Sequence, residues 1–103
     1  MLIVLTTCPP RSAPRIIRTL LSHRLAACIS RIDGVVSEYR WEGKVEKAAE
    51  TLLLIKTPSR RWKALHERLR AIHPCKVPEI VAFRSWDDDR PYIRWLRKET
   101  LGD

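Results

Sequence analysis

The sequence predicts an α+β fold with the element order β-α-β-β-α-β followed by a third helix. Apolar runs rich in β-branched residues alternate with segments whose apolar residues recur every three or four positions. Prolines or glycine-containing turns separate these segments. A chain of 103 residues, 45% of them hydrophobic, can fill one core, because chains divide into separate cores only beyond about 250 residues. We therefore expect residues 1–103 to form a single domain.

The first strand is predicted over residues 2–7, a continuous apolar and β-branched run that ends at Cys8-Pro9-Pro10. Such a run is typical of a central strand buried on both faces. After the prolines, Ser12 is expected to cap a helix that ends near residues 24–26. The apolar residues of this helix fall on one stripe: Ile16, Ile17, Leu20, Leu21 and Leu25.

The next two runs predict a long β-hairpin that projects beyond the core. Residues 35–41 are rich in strand formers and follow a turn or bulge at Asp33-Gly34. Glu42-Gly43 then turns the chain. Residues 44–57 begin with charged side chains and end with an apolar run, so we expect the first half to be exposed and the second half buried.

The last part of the chain predicts helix, strand and helix. Ser59 is expected to cap a helix that closes at His73-Pro74. Residues 77–83 form the fourth strand, with Pro78 at its start or at a sheet edge because proline has no N–H to donate. Residues 87–89, three aspartates, are expected to cap a short third helix rather than to form a metal cluster. This order is the split βαβ, or ferredoxin-like, arrangement.

The sheet face without helices is also predicted to be apolar, which favours self-association. Twenty Lys and Arg against twelve Asp and Glu give a formal charge of +8, which would attract anions or nucleic acid. The basic residues are dispersed at helical spacing, however, which is typical of solvated helix faces. Four tryptophans could stack on bases, but Trp62 and Trp95 lie on apolar helix stripes and Trp41 at a hairpin end, where packing is expected instead. The alternative functions are nucleic-acid binding and a purely structural or interaction module.

Three cysteines, at positions 8, 28 and 75, do not form a disulfide framework of the secreted kind. The apolar N-terminal run is too short for a signal peptide, and no segment reaches the ~20 residues that span a bilayer. We therefore expect a cytoplasmic protein without a membrane partner. The sequence has no glycine-rich phosphate loop, Ser-His-Asp spacing or His-Glu-x-x-His helix, so we expect no catalytic residues.

Six segments from residue 1 to about residue 97 form a recognisable set. They are Leu2-Ile3-Val4-Leu5-Thr6-Thr7-Cys8-Pro9, Leu25-Ala26-Ala27-Cys28-Ile29, Tyr39-Arg40-Trp41-Glu42-Gly43-Lys44, Leu54-Ile55-Lys56-Thr57, His73-Pro74 with Val77-Pro78-Glu79-Ile80, and Tyr92-Ile93-x-Trp95-Leu96. In this order and at this spacing, they resemble CutA proteins. The resemblance implies a ferredoxin-like subunit in a tight homotrimer, in which long hairpins pair across the interfaces. It also implies a role in tolerance of divalent cations such as copper, and similar trimeric signal proteins bind small effectors in clefts between subunits.

The candidate metal ligands differ from those of some bacterial relatives. Those relatives carry a cysteine at the position of Thr6 and a His-His pair at Ile72 and His73, so only His73 remains here. Thiolate and imidazole suit copper or zinc, and Cys8, His73 and Cys75 therefore form a possible composite site for copper or another divalent cation. The alternative is that Cys28 is a core residue and that His73 only ends its helix.

Three further charged residues, Glu42, Lys56 and Glu79, lie within apolar strand or hairpin motifs. Charged side chains are rarely buried without partners, so they either pair with one another or line a cleft. The second alternative predicts a pocket between subunits, bordered by Lys56 and Glu79, that accepts a small polar ligand.

Overall fold

The computed structural model describes residues 1–103 as one four-stranded sheet and three α-helices. Short 3-10 turns at Pro10–Ser12 and Ser59–Arg61 precede the first two helices. In chain order the elements are β1 (Leu2–Cys8), α1 (Ala13–Ser22), β2 (Cys28–Trp41), β3 (Lys44–Thr57), α2 (Trp62–Ile72), β4 (Ile80–Arg84) and α3 (Arg90–Leu101). No helix is both long and apolar enough to cross a membrane.

The sheet has the strand order β2-β3-β1-β4, and each neighbouring pair is antiparallel. In the centre, Leu5 of β1 lies between Leu54 of β3 and Val81 of β4. This arrangement confirms the predicted ferredoxin-like fold and the central place of β1. It leaves β2 and β4 as edge strands, whose outer N–H and C=O groups have no partner in the sheet.

The two faces of the sheet differ in burial. On one face, the strand residues Val4, Leu53 and Ile55 form a core with Ile16 and Leu20 of α1 and with Leu65 and Leu69 of α2, all with no exposed surface. The opposite face is not part of this core, which contains the α1 and α2 residues. Ile3 and Leu5, which lie on that opposite face, are only half-buried. The prediction that β1 is buried on both faces is therefore wrong for one chain, because the helices cover one face alone.

The hairpin of β2 and β3 is the longest feature of the molecule. Residues 44–47 of β3 are exposed and every second residue from Thr51 to Thr57 is buried, as predicted. The molecule measures 47 × 26 × 22 Å, so the long axis exceeds the width of the core. From Ile32 to Val35, β2 advances three residues while its partner β3 moves only two, from Leu52 to Glu50. The strand β2 therefore contains a bulge of one residue. One extra residue reverses which side chains of β2 face each side of the sheet.

The prediction that side chains cap the helices is wrong, because no side chain forms a capping hydrogen bond at the start of α1, α2 or α3. Ser12 stands before α1 with helical backbone angles, and its hydroxyl makes no capping bond. An N-cap residue normally has extended angles, which the preceding 3-10 turn prevents. Ser59 lies inside the second 3-10 turn, so Arg61 precedes α2. Asp89 precedes α3 without a side-chain cap, since only its carbonyl accepts the Ile93 N–H, at 3.1 Å.

Two predicted boundaries also move. The fourth strand begins at Ile80 rather than at residue 77, because pairing with β1 ends where Thr6 meets Ile80. Pro78, without an N–H, lies in the loop before the strand, in agreement with its predicted place at a strand start. Helix α1 ends at Ser22, earlier than predicted, and Arg24 takes a left-handed φ of 55°.

Candidate functional site

His73 is buried at the end of α2 and is bonded on both ring nitrogens. Its Nε2 lies 2.9 Å from the Thr7 carbonyl oxygen and 3.2 Å from the Thr6 hydroxyl. The backbone N–H of Cys75 donates to Nδ1 at 3.1 Å. A carbonyl oxygen only accepts, so Nε2 carries the proton and Nδ1 does not. The neutral ring thus ties the loop after α2 to the end of β1.

Burial determines the titration of this group of residues. It lowers the pKa of His73, because a charged imidazole loses solvation, although the Thr7 carbonyl and the Glu50 carboxylate oppose this effect. Burial raises the pKa of the Cys8 thiol, and the neighbouring Cys75 and Glu50 raise it further. Burial followed by Glu50 also raises the pKa of Cys75. Glu50 therefore influences all three predicted metal ligands, and the sequence did not indicate it.

The structure brings Cys8, His73 and Cys75 into one neighbourhood but does not arrange them as ligands. No group of three His, Cys, Asp or Glu side chains is positioned to hold a metal ion. The only lone pair on the neutral His73 ring, at Nδ1, accepts the Cys75 N–H. Both thiols are protonated at neutral pH because their pKa values are raised above the ordinary 9.0. A metal at these residues would have to displace two protons and one hydrogen bond.

The sheet face that α1 and α2 leave uncovered is called the open face. Lys56 lies on this face, near the end of β3. Its ammonium donates to the Ser30 hydroxyl, and its Nζ is 3.9 Å from the Cys28 sulfur. It forms no ion pair with any carboxylate. Cys28 is half-buried at this position rather than a core residue as predicted, because its side chain points to the open face beside Lys56.

Glu79 lies at the other end of β1 and accepts a hydrogen bond from the Thr7 hydroxyl at 3.3 Å. Lys56 is paired with Ile3, and Thr7 lies four positions after Ile3 along β1. At about 3.3 Å per residue, this separation is about 13 Å along the strand. The alternative in which Lys56 and Glu79 form an ion pair is therefore wrong within one chain. They also do not border one pocket there.

Glu42 occupies the tip of the hairpin, away from both of these residues. It is exposed, and its φ of 50° followed by 79° at Gly43 gives two successive left-handed residues. This is the backbone of the tight turn that joins antiparallel strands, in which glycine is favoured at the second position. The structure thus assigns Glu42 a place in the turn, where its side chain forms no ion pair with Lys56.

The main cleft of the chain lies between the hairpin and the loop before β4. Its volume is about 440 Å³. The hairpin contributes Ser37, Tyr39, Trp41 and Glu50, and β1 contributes Thr7. The loop contributes five successive residues from Cys75 to Glu79. Cys75 and Glu79 are thus the predicted site residues that the structure brings into this cleft.

Sequence reasoning missed Tyr39 and Glu50 as cleft residues and placed Trp41 only in packing. A signal existed, because Tyr39 and Trp41 are two apart on one strand and therefore share a face. Which face they share depends on the bulge at Ile32/Val35. With the bulge, the two rings lie on the side of Glu50, which is also the open face of the sheet.

The basic side chains are spread over the outer surfaces of the helices, as predicted. Arg15, Arg18, Lys63, Arg68 and Arg94 are exposed. Trp62 stacks on His66 at a centroid distance of 4.9 Å and packs against the core. Trp95 is 42% exposed, so the prediction that it lies on the buried side of α3 is wrong. The buried positions of that helix are Leu96 and Thr100.

Comparison with known proteins identifies the family. Residues 2–99 match the family described as CutA1 divalent ion tolerance protein. The chain belongs to the CutA1 family. It is 43% identical to the divalent-cation tolerance protein CutA of Thermus thermophilus over 99 residues, covering 95% of this chain and 96% of that protein. It is 39% identical to the human protein CutA, covering 91% of this chain but 53% of the human protein.

Solved CutA structures share the fold closely. The CutA structure from Xylella fastidiosa has a TM-score of 0.93 at 40% identity, covering 96% of each chain. A CutA structure from Archaeoglobus fulgidus, described as periplasmic, has a TM-score of 0.92 at 28% identity, covering 97% of this chain and 99% of that chain. Three of the CutA-like segments of this sequence, those containing Thr7, Trp41 and Glu79, meet at the cleft although they are distant along the chain.

The burial of His73 predicts that this CutA protein loses stability in acid. Because the folded state lowers the pKa of His73, the unfolded chain binds a proton first as the pH falls below the ordinary 6.5. The stability that the neutral ring contributes is complete above that pH and is lost as the pH falls through the lowered value. The loss is below about 1.4 kcal/mol per pH unit, the limit for one proton. Urea unfolding at pH 7.5 and pH 5.5 measures it.

His73→Gln should reduce the difference between the two pH values. His66→Gln is the matched control, because that imidazole stacks on Trp62 and is outside the loop network. An equal pH dependence in wild type and His73→Gln would contradict the assignment.

Proposed function

We propose that this chain is a homotrimeric CutA subunit of the cytoplasm that acts in divalent-cation tolerance by binding rather than by catalysis. Its ligand would be copper, another divalent cation or a small effector, bound where subunits meet. The family supports the tolerance role, since its relatives are named for it. The three cysteines, all free, suit a reducing compartment.

The main support for the proposed assembly is the apolar surface on the open face of the sheet. It presents Ile3, Leu5, Leu52, Leu54, Val81 and Phe83, none of which is fully buried. Phe83 is 47% and Val81 is 46% exposed. A sheet hydrophobic on both faces needs a second layer on each, and here α1 and α2 both cover the same face. A continuous apolar patch of this kind marks a protein interface.

The assembly would also change the surroundings of the predicted ligand-binding residues. Lys56 has no carboxylate partner, and Glu79 has none among the basic side chains. Both lie toward the open face, about 13 Å apart in one chain. A neighbouring copy packed on this face could place its own Glu79 near Lys56 and bring the hairpin tip with Glu42 close to either. The small-effector form of the proposal uses these three residues.

The metal form of the proposal uses Cys8, His73 and Cys75. Deprotonation of the two thiols would supply two soft ligands suited to Cu(I), with His73 Nδ1 as a third once the Cys75 N–H turns away. The raised pKa values of both thiols make such binding dependent on pH, with higher affinity as the pH rises.

Light scattering and a copper titration test the proposal on one sample. We expect a mass of about 36 kDa, three times the 12.0 kDa of one chain. We also expect Cu(I) affinity to rise between pH 6 and pH 8 and to be lost in the Cys8→Ser, Cys75→Ser double variant. Cys28→Ser is the matched control, since Cys28 lies beside Lys56 at the other end of the sheet. A monomer would overturn the assembly, and unchanged affinity in the double variant would exclude these ligands.

A further inference from the structure

The net positive charge of the chain is concentrated in one layer of the fold, the outer surface of α1 and α2. Residues 10–25 and 59–76, which contain these helices, carry ten of the twenty Lys and Arg residues but only one of the twelve Asp and Glu residues. The remaining residues carry ten basic and eleven acidic side chains, so they are close to neutral. The formal charge of +8 therefore comes from residues 10–25 and 59–76, which we call the basic layer.

The basic layer lies on the side of the sheet away from the open face. The inner sides of α1 and α2 pack on the sheet face that contains Val4, Leu53 and Ile55. The proposed assembly uses the opposite face of the sheet. A neighbouring copy packed there leaves the outer sides of both helices in solvent, so their exposure in one chain also holds for the assembly.

Five cations of the basic layer are exposed and take part in no ion pair: Arg11, Arg15, Arg18, Lys63 and Arg70. The first three recur at spacings of four and three residues, so they form one row about 10 Å long on the outer side of α1. The two on α2 are seven residues apart, or about two turns, and therefore share a side of that helix. The cations are thus arranged in two rows rather than scattered.

The outer sides of the two helices do not suit insertion into a lipid surface. Helices that lie in a membrane interface present large apolar side chains beside their basic residues. Here Ile16 and Leu20 of α1 and Leu65 and Leu69 of α2 are used in the core. Leu21, 39% exposed, is the one large apolar side chain of the two helices that is exposed.

The basic layer also lacks a stacking platform for single-stranded nucleic acid. Single strands bind by stacking their bases on exposed aromatic side chains along a basic groove. Trp62 is the only Phe, Tyr or Trp residue of the basic layer. Its ring stacks on His66 at a centroid distance of 4.9 Å and packs against the core. A duplex, whose bases are already stacked and whose phosphates lie outside, needs no such platform.

We propose that the basic layer binds the phosphate backbone of a nucleic-acid duplex without reading its sequence. A DNA duplex presents one negative charge per about 1.7 Å of its axis, so about six phosphates lie along a row of 10 Å. Four of the five exposed cations are arginines, whose guanidinium groups match phosphate oxygens bidentately. Such contacts position a protein on a duplex but do not read its base sequence. This binding goes beyond the proposed function and uses none of its ligand residues.

Fluorescence anisotropy with a labelled DNA duplex of about 20 base pairs tests the inference on the full-length protein. We expect a Kd of about 1 μM at 50 mM NaCl and equal affinity for two duplexes of unrelated sequence. Five phosphate contacts predict a slope of about −4.5 for the logarithm of the association constant against that of the salt concentration. The affinity should therefore fall about 500-fold between 50 and 200 mM NaCl.

Removal of the row on α1 should reduce both the affinity and the salt dependence. The triple variant Arg11→Gln, Arg15→Gln, Arg18→Gln loses three of the five contacts, so the slope should change from about −4.5 to about −2. Binding at 50 mM NaCl should weaken at least about tenfold. Circular dichroism and light scattering check that this variant keeps its fold and its mass.

The matched control is the triple variant Arg90→Gln, Arg94→Gln, Lys98→Gln on α3. It removes the same number of charges from exposed positions outside the basic layer. Its slope should equal that of wild type, because these residues are not expected to contact the duplex. Equal slopes in the two triple variants would show that only the total charge matters, and would overturn the assignment to the basic layer.

Glu67→Gln is expected to strengthen duplex binding, a result that unfolding cannot produce. Glu67 is the single acidic residue of the basic layer and is exposed on α2 between Lys63 and Arg70. Its carboxylate repels phosphates, so its neutralisation should increase the affinity about threefold at 50 mM NaCl. Glu46→Gln makes the same change on the exposed part of the hairpin and should have a smaller effect. A smaller effect of Glu67→Gln than of Glu46→Gln would contradict the inference.

The other outcomes separate this inference from the proposed function. No duplex binding at 50 mM NaCl, or tighter binding of a single strand than of the duplex, overturns the inference even if the protein is trimeric and binds copper. Retention on vesicles of phosphatidylcholine with about 30% phosphatidylserine, without duplex binding, would assign the basic layer to a membrane instead. A monomeric protein that binds the duplex and loses binding in the α1 triple variant supports the inference and overturns the trimer.

Discussion

Leu53→Ala is expected to lower the free energy of unfolding by about 2–5 kcal/mol, the range measured for large-to-small changes in protein cores. Leu53 has no exposed surface and lies on the helix-covered face of β3, in the cluster that includes Leu65 and Leu69 of α2. The loss combines the transfer free energy of three carbon atoms with the cost of the cavity that they leave. The central strand β3 cannot collapse into that space, because β1 and β2 hold it from both sides.

Urea unfolding at a fixed chain concentration measures this effect, since the apparent stability of an oligomer depends on concentration. Ala71→Gly is a control of similar chemistry on an exposed helix position, where about 1 kcal/mol is expected from helix propensity alone. A Leu53→Ala effect no larger than that control would show that the cluster is not the core. Light scattering should show the same number of subunits as in wild type.

Leu54→Glu is expected to dissociate the proposed trimer while each chain keeps its fold. Leu54 neighbours Leu53 in sequence but faces the open side of the sheet, half-buried opposite Leu5. A carboxylate there would be desolvated in three copies at once if this face is buried between subunits, which costs several kcal/mol for each unpaired charge. In a free monomer the same carboxylate can reach water at the open face. Light scattering should therefore change from about 36 kDa to the 12.0 kDa of one chain.

The control for this substitution is Ala71→Glu, which adds the same charge to the outer surface of α2. It should leave the mass unchanged. A Leu54→Glu protein of unchanged mass would contradict the use of the open face in assembly, whereas unfolding would be detected by circular dichroism. If the Leu54→Glu protein unfolds, Leu54→Ser provides a milder polar change at the same position. Its mass by light scattering then tests whether the open face is used in assembly.

Strand and helix order could be predicted from the sequence because local patterns determine it. In β3, for example, residues 44–47 are exposed and every second residue from Thr51 is buried, as the sequence pattern predicts. The helical stripes at Ile16 and Leu20, and at Leu65 and Leu69, pointed correctly to the core. The caps at Ser12 and Ser59 were wrong because the pattern does not distinguish an N-cap from a short 3-10 turn before the helix.

The candidate site was predicted less well, since it depends on contacts that are distant in sequence. Lys56 and Glu79 both lie in segments that resemble CutA proteins, but the structure places them near opposite ends of β1. The segments alone do not indicate how far apart the two side chains lie. Cys8, His73 and Cys75 do meet, because the imidazole of His73 bonds to the backbone at Thr7 and at Cys75. Those same bonds occupy the imidazole nitrogens, which no sequence pattern reveals.

By itself, the sequence determined the order of the elements, the hairpin and the apolar character of both sheet faces, because these depend on periodicity and turn residues. Only the tertiary structure decided where the aromatic side chains of the hairpin point. One extra residue between Ile32 and Val35 reverses the side-chain alternation of β2. Tyr39 and Trp41 therefore face the loop that carries Glu79, about 40 residues further along the chain, and the cleft exists because the sheet brings the two together.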